Sequence, residues 1–268
     1  MYAWGERRLV RLSAAAAERR AVGSSWGPVM TRSTQLRMAV SLCIIVALPL
    51  GAREVARSRT FQTFGRLVAR VETKRPIVAL TFDDGPTAGV ADEILRILES
   101  RQVRATFFVI GSHLAQEPDL GRRLVAAGHE LGNHTYSHNR MVLRSQRFVR
   151  AEVERTDELI RAAGQTGEIY FRAPFCWKLL GLPWYLWRTG RTSLTWDVAP
   201  DGPSSEADAA RIVSACRKAV RPGSIILLHV WYRGREPSRA AVPALIDQLH
   251  ADGYEFVTVR ELLSSTQE

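Results

Sequence analysis

Short apolar runs recur along the chain, each followed by a longer stretch whose apolar residues return every three or four positions. The run Ile77, Val78, Ala79, Leu80 is apolar and β-branched, and Gly85-Pro86 lies just beyond it. This predicts a buried strand that gives way to loop at Asp83 and Asp84. Further strands are expected over residues 105–110, 130–133, 170–171, 193–196, 224–229 and 256–259. Helices are expected near 92–100, 120–127, 145–163, 184–187, 206–220 and 240–250, with a closing helical turn at 260–263. Strands alternating with helices imply a parallel sheet with helices packed outside it, and about seven such units in under ~200 residues fit a barrel better than an open sheet.

The placement of the reactive side chains sharpens that picture. Asp83 and Asp84, His134, Arg172, Asp197 and Asp201, and His229 each fall just after an expected strand. In parallel α/β folds those strand ends gather on one face, where sites form. Taken alone, Asp83-Asp84-Gly85-Pro86 reads as a turn that starts a helix. Neighbouring carboxylates repel, however, and call for a cation or an arginine to compensate them.

Composition is ordinary for a globular chain of 268 residues, with 46% hydrophobic and 24% charged residues. That length holds one barrel-sized domain or two small ones. The net charge of +10 would point to an anionic partner if it were spread over the fold. It is not spread: residues 1–75 carry 14 Lys and Arg against 4 acidic residues, and residues 76–268 carry 23 against 23. The main domain therefore gives no electrostatic argument for nucleic acid.

Residues 38–50 form an uncharged apolar run with Arg32 and Arg37 before it and Gly51-Ala52-Arg53 after it. The expectation is an export signal; an uncleaved membrane anchor ranks second, because the run is shorter than the ~20 residues of a spanning helix and Pro49 interrupts it. Met30 is the more natural start for such a signal, which leaves 1–29 as a mis-assigned start or a cytosolic extension. The expected organisation is thus 1–52 export signal or anchor, 53–75 basic linker, 76–263 catalytic domain and 264–268 tail. Cys43 lies in the export segment; Cys176 and Cys216 could pair in an oxidising compartment, but no spacing indicates a disulfide framework.

His134 and His138 stand four apart, on one side of a helical turn. With a carboxylate they make a facial set that leaves open positions on a divalent metal. Four ordered stretches then carry a resemblance: Thr81-Phe82-Asp83-Asp84-Gly85-Pro86, His134-Thr135-Tyr136-Ser137-His138, Arg172-Ala173-Pro174-Phe175 and Leu227-Leu228-His229. Over roughly residues 76–263 the chain resembles the polysaccharide deacetylases of carbohydrate esterase family 4, the NodB-homology domain. The resemblance implies an α/β fold, a distorted (β/α)7 barrel, and metal-assisted removal of an N-acetyl, or less often O-acetyl, group from a carbohydrate. It implies Asp84, His134 and His138 as ligands of zinc, with cobalt, nickel or manganese as alternatives. Asp83 would be the general base and His229 the general acid. Arg172 would orient Asp83 and keep it charged, and the backbone N–H of Phe175 would help hold the oxyanion. Phe175, Leu227 and Trp196 would form the slot for the acetyl methyl. The implied partner is an acetylated glycan, with membrane association only through residues 38–50; oligomeric state is left open.

The chain departs from the family's fourth motif, Asp-x-x-Asp-Trp, which supplies the acid that tunes the catalytic histidine. Here the stretch reads Trp196-Asp197-Val198-Ala199-Pro200-Asp201. Asp201 is the first choice for that role and Asp197 the alternative. Cys176 stands where glycine is common, and Val230 follows His229 where many members have Asp. The rival readings are a non-catalytic carbohydrate-binding relative and a same-fold amidohydrolase acting on a small non-sugar amide.

Overall fold

The computed structural model describes residues 31–202 and 208–265. The first element, α1 (Arg32–Arg57), takes up the apolar run as helix, with Pro49 inside it. Contacts divide the chain between Leu48 and Pro49, within that helix, and the second unit holds the sheet. Among the described residues no helix is long and apolar enough to cross a membrane. Met30 and everything before it lie outside the described residues.

The basic lead-in, read from sequence as a linker, contributes a strand. After α1 ends, β1 (Leu67–Val68) runs parallel to Ser193–Leu194. Backbone carbonyls of the lead-in also serve the fold: Lys178 donates its amide N–H to Ala56 O at 2.8 Å and its ammonium to Ser58 O, and Thr195 Oγ1 donates to Arg59 O at 2.6 Å. Lys178 is almost fully buried, and burial pulls its pKa down.

The central strand is β2 (Ile77–Asp83), buried at every residue. It is followed by α2 (Val90–Ser100), β3 (Thr106–Val109), α3 (Gly111–Gln116), α4 (Pro118–Ala126), β4 (Glu130–Asn133) and α5 (Gln146–Ala162). The Ser145 side chain caps α5 by accepting from Phe148 N. Then come α6 (Gly181–Arg188), β5 (Ser193–Leu194), α7 (Ala209–Ala219), β6 (Ile225–His229), α8 (Glu236–Ala251), β7 (Glu255–Val257) and α9 (Val259–Ser264). The expected start of α7 at Glu206 lies outside the described residues, and the described helix begins after an Asp208 cap.

Among the described residues every ladder between named strands is parallel: β4, β3, β2 and β6 neighbour in that order, and β7 lies on β2 below β3. Single bridges carry the sheet further, from Asn133 through Phe171 to Ser193, and from Val198 to Ile226. The result is a distorted barrel whose far side is held by isolated bridges instead of continuous ladders. The strand expected at 170–171 is reduced to one bridging residue, Phe171, with Asn133 on one side and Ser193 on the other. Helix α3 was not anticipated; six residues are too few to show a period.

Alternation along β2 separates two packing layers. Val78, Leu80 and Phe82 join the cluster under the helices, while Ile77 and Ala79 pack inside the sheet with Phe108, Tyr170, Leu194 and Ile225. Thr81 and Asp83 share that inner face. In β6, Ile226 and Leu228 face the helices, so Leu227 and His229 point inward as well.

Candidate active site

Register brings the first two groups together, because Asp83 of β2 pairs directly with His229 of β6. Asp84 is one residue further and has φ of 83°, in the left-handed region. That turn breaks strand alternation, so Asp83 and Asp84 face the same rim from different angles. The following Gly85 admits no side chain: a Cβ there would stand 2.2 Å from the Trp231 ring.

The two histidines arrive from the end of β4. His134 Nε2 lies 3.3 Å and His138 Nε2 3.1 Å from the same oxygen, Asp84 Oδ1. One ligand atom from each of the three residues lies within 4.8 Å of the others. His134 Nδ1 sits 2.8 Å from the Arg172 carbonyl. A backbone carbonyl on Nδ1 is the usual outer support of a metal-ligating imidazole, and it turns the Nε2 edge of the ring toward Asp84. Burial pushes the Asp84 carboxyl up, but hydrogen bonds and charge from His134 and His138 outweigh it and hold the group well below the ordinary carboxylate range. Two imidazoles and an ionised carboxylate on one side, open on the other, fit a divalent metal ion.

Arg172 is fully buried. Its Nη1 donates to Asp83 Oδ1 at 2.6 Å and to Thr81 Oγ1 at 2.9 Å, and its Nη2 donates to Thr195 O at 3.0 Å. The guanidinium also lies 3.9 Å from the Phe108 ring centroid. Burial lowers its pKa and Asp83 opposes that fall.

Of the two acids weighed for tuning His229, the structure brings Asp201 to it and not Asp197. Asp201 Oδ2 accepts from His229 N at 2.6 Å and lies 3.5 Å from His229 Nδ1. Asp197 is occupied elsewhere, accepting from Ser224 Oγ at 2.8 Å and Ile225 N at 2.9 Å. Burial depresses the His229 pKa, yet Asp201, Asp83 and Asp84 together raise it above the ordinary histidine value.

Asp83, Asp84, His134, His138 and His229 line a cavity of about 430 Å³ together with Ala173, Phe175, Trp196, Tyr232 and Arg235, while Arg172 and Asp201 hold Asp83 and His229 from outside that lining. A wider groove of about 900 Å³ lies at α2 and α4 and holds none of them. Phe175, at φ of 55° and 53% exposed, sets its ring 4.6 Å from that of His138. Leu227 is not part of this lining. It is 1% exposed and sits two residues before His229 on the same inner face. Tyr232 and Arg235 were missed from sequence. They follow β6 by three and six residues, and the rule that loops after parallel strands build the rim was the available signal. Burial first, and then the Asp84 charge, push the Tyr232 hydroxyl up to about 12.

The sequence profile of the family described as polysaccharide deacetylase matches residues 70–177. A chitooligosaccharide deacetylase of Sinorhizobium fredii is 38% identical over 202 residues, 70% of this chain and 93% of that protein. A peptidoglycan-N-acetylglucosamine deacetylase of Bacillus cereus is 29% identical, covering 74% of this chain and 93% of its own. Among solved structures, a peptidoglycan N-acetylglucosamine deacetylase superposes with a TM-score of 0.69 at 27% identity, covering 72% of this chain and 91% of that one. A family 4 acetyl xylan esterase from Clostridium thermocellum, solved with a cobalt ion, gives 0.65 at 32% identity, covering 70% and 90%. With its motifs at one rim and these relatives alongside, the chain belongs to the polysaccharide deacetylase family.

Proposed function

We propose that this carbohydrate deacetylase removes N-acetyl groups from chitin-type oligosaccharides, with Asp83 as base and His229 as acid. The observation that carries the reading is the division of labour at the rim. Asp84 is committed to two imidazoles, while Asp83, one residue earlier, is committed to a buried guanidinium. When a divalent ion is held by Asp84, His134 and His138, it supplies Lewis-acid polarisation and lowers the pKa of a water molecule.

The chain's own residues do the rest. Asp83, fixed in direction by Arg172, accepts the proton of the attacking water. The water oxygen bonds to the acetyl carbon, and the Phe175 N–H faces the oxygen that becomes negative. His229, across the strand from Asp83, gives its proton to the departing amine nitrogen as the carbon–nitrogen bond breaks, leaving acetate and a free amine. Asp201 favours the charged form of His229 before that transfer. Phe175 and Trp196 give the methyl group apolar walls. Chitooligosaccharides are the favoured substrate because the relative covering nearly all of its own length at 38% identity carries that name. We further propose export of the chain, directed by residues 38–50, with residues 76–263 as the catalytic domain.

The test is acetate release from N-acetylated chitooligosaccharides by the purified chain, with and without a chelator. Release that stops on chelation and returns with zinc is expected. Glycan binding without acetate release would overturn the reading, as would release from small amides alone.

A further inference from the structure

The turn that joins His134 to His138 has an expensive backbone. Thr135 has φ of 66° and His138 φ of 55°, both in the left-handed region. For a β-branched threonine that state is disfavoured and persists only where surrounding contacts over-determine it. Two of those contacts are internal to the turn. Thr135 N donates to Asn133 Oδ1 at 2.8 Å, and His138 N donates to Thr135 Oγ1 at 3.1 Å.

The third comes from another element. Glu152 of α5 is 7% exposed and spends both carboxylate oxygens on one residue of the turn. Ser137 N donates to Glu152 Oε2 and Ser137 Oγ to Oε1, each at 2.8 Å. Ser137 immediately precedes His138, so this two-point grip sets where the His138 imidazole stands. Placing a carboxylate in so dry a position is costly unless its hydrogen bonds are made. The same helix reaches the other end of the turn, where Asn133 Nδ2 donates to Val153 O at 2.8 Å and to Asp157 Oδ1 at 2.6 Å. Arg191 Nη2 in turn donates to Asp157 Oδ2 at 2.8 Å.

We infer that Glu152 is a positioning residue for the metal centre: through Ser137 it fixes the separation of His134 and His138, and so the affinity of the three-ligand set. This rests on the metal reading above. Residues that support ligands in this way change metal affinity by about 10–100-fold when removed.

The experiment measures zinc affinity of the full chain by competition with a chromophoric chelator, alongside circular dichroism of the metal-free protein. Glu152→Ala is expected to keep the metal-free fold and lose about 10–100-fold in zinc affinity. Glu152→Gln keeps an oxygen to accept from Ser137 N and is expected to restore most of it. A folded Glu152→Ala variant with wild-type zinc affinity overturns the inference. If Glu152→Ala does not fold, Ser137→Ala decides: it removes the Oγ–Oε1 half of the grip, a weaker zinc affinity supports the inference, and wild-type affinity overturns it. A wild-type chain that binds no divalent ion overturns the metal reading as well, which separates the two failures.

Discussion

Asp83 and Asp84 are neighbours in sequence, yet one carboxylate meets a guanidinium and the other two imidazoles, because φ of 83° at Asp84 turns the second away from the strand's alternation. Removing either therefore has a separate signature. Asp83→Asn is expected to lower turnover by about 10²–10⁴-fold, the usual worth of a positioned base, while zinc stoichiometry by atomic absorption stays at that of the wild type. A fully active variant would refute the role of base. His229 offers a second residue-scale handle. Its pKa is raised, so its acid form persists to higher pH than that of a free histidine, and activity falls as pH rises through that pKa. Asp201→Asn removes one source of the rise, so the alkaline limb of the pH–kcat profile is expected to move to lower pH. An unmoved limb would detach Asp201 from the acid.

Between elements, the geometry rests on close approach. Trp231, just after β6, lies against Gly85, just after β2, with no room for a methyl group between them. Gly85→Ala is therefore expected to destabilise the fold by about 1–3 kcal/mol, measured by denaturant melts, and to cut activity by pulling Asp84 out of line. Such contacts mark where the sequence could and could not be read. The ends of β2 and β6 are legible because each apolar run stops at a polar residue of the right type, and four motifs in order tie Asp83, Asp84, His134, His138, Arg172 and His229 to one rim. Choosing Asp201 over Asp197 was less secure, since both follow β5 and only folding shows that Asp197 turns toward Ser224 and Ile225. Leu227 shares the inner face with His229, as alternation along β6 implies, but is not among the residues that line the cavity. Tyr232 and Arg235 sit in an irregular segment with no period to announce which side chains turn inward. The segment at 170–171 looked like a full strand because apolar pairs in sequence do not reveal that a ladder ends after one bridge.

At the scale of the whole molecule, the barrel is continuous on the side of β4, β3, β2 and β6 and stitched by single bridges on the other. That far side is also where the basic lead-in joins, through β1 and through the carbonyls of Ala56, Ser58 and Arg59. The ammonium of Lys178, two residues past Cys176 and three past Phe175 at the cavity rim, has the Ser58 carbonyl as its oxygen acceptor. A chain shortened to begin at residue 61 would strand that charge in the interior and is expected to lose at least ~1–3 kcal/mol of stability relative to a chain beginning at residue 53, read as a drop in melting temperature. Equal melting temperatures would show that the acceptor is dispensable. The same dependence bears on the signal proposed at residues 38–50: a cut ahead of Ala56 would leave the carbonyls that hold Lys178 and Thr195 attached to the catalytic fold, whereas a cut a few residues later would release a body already missing part of its own interior.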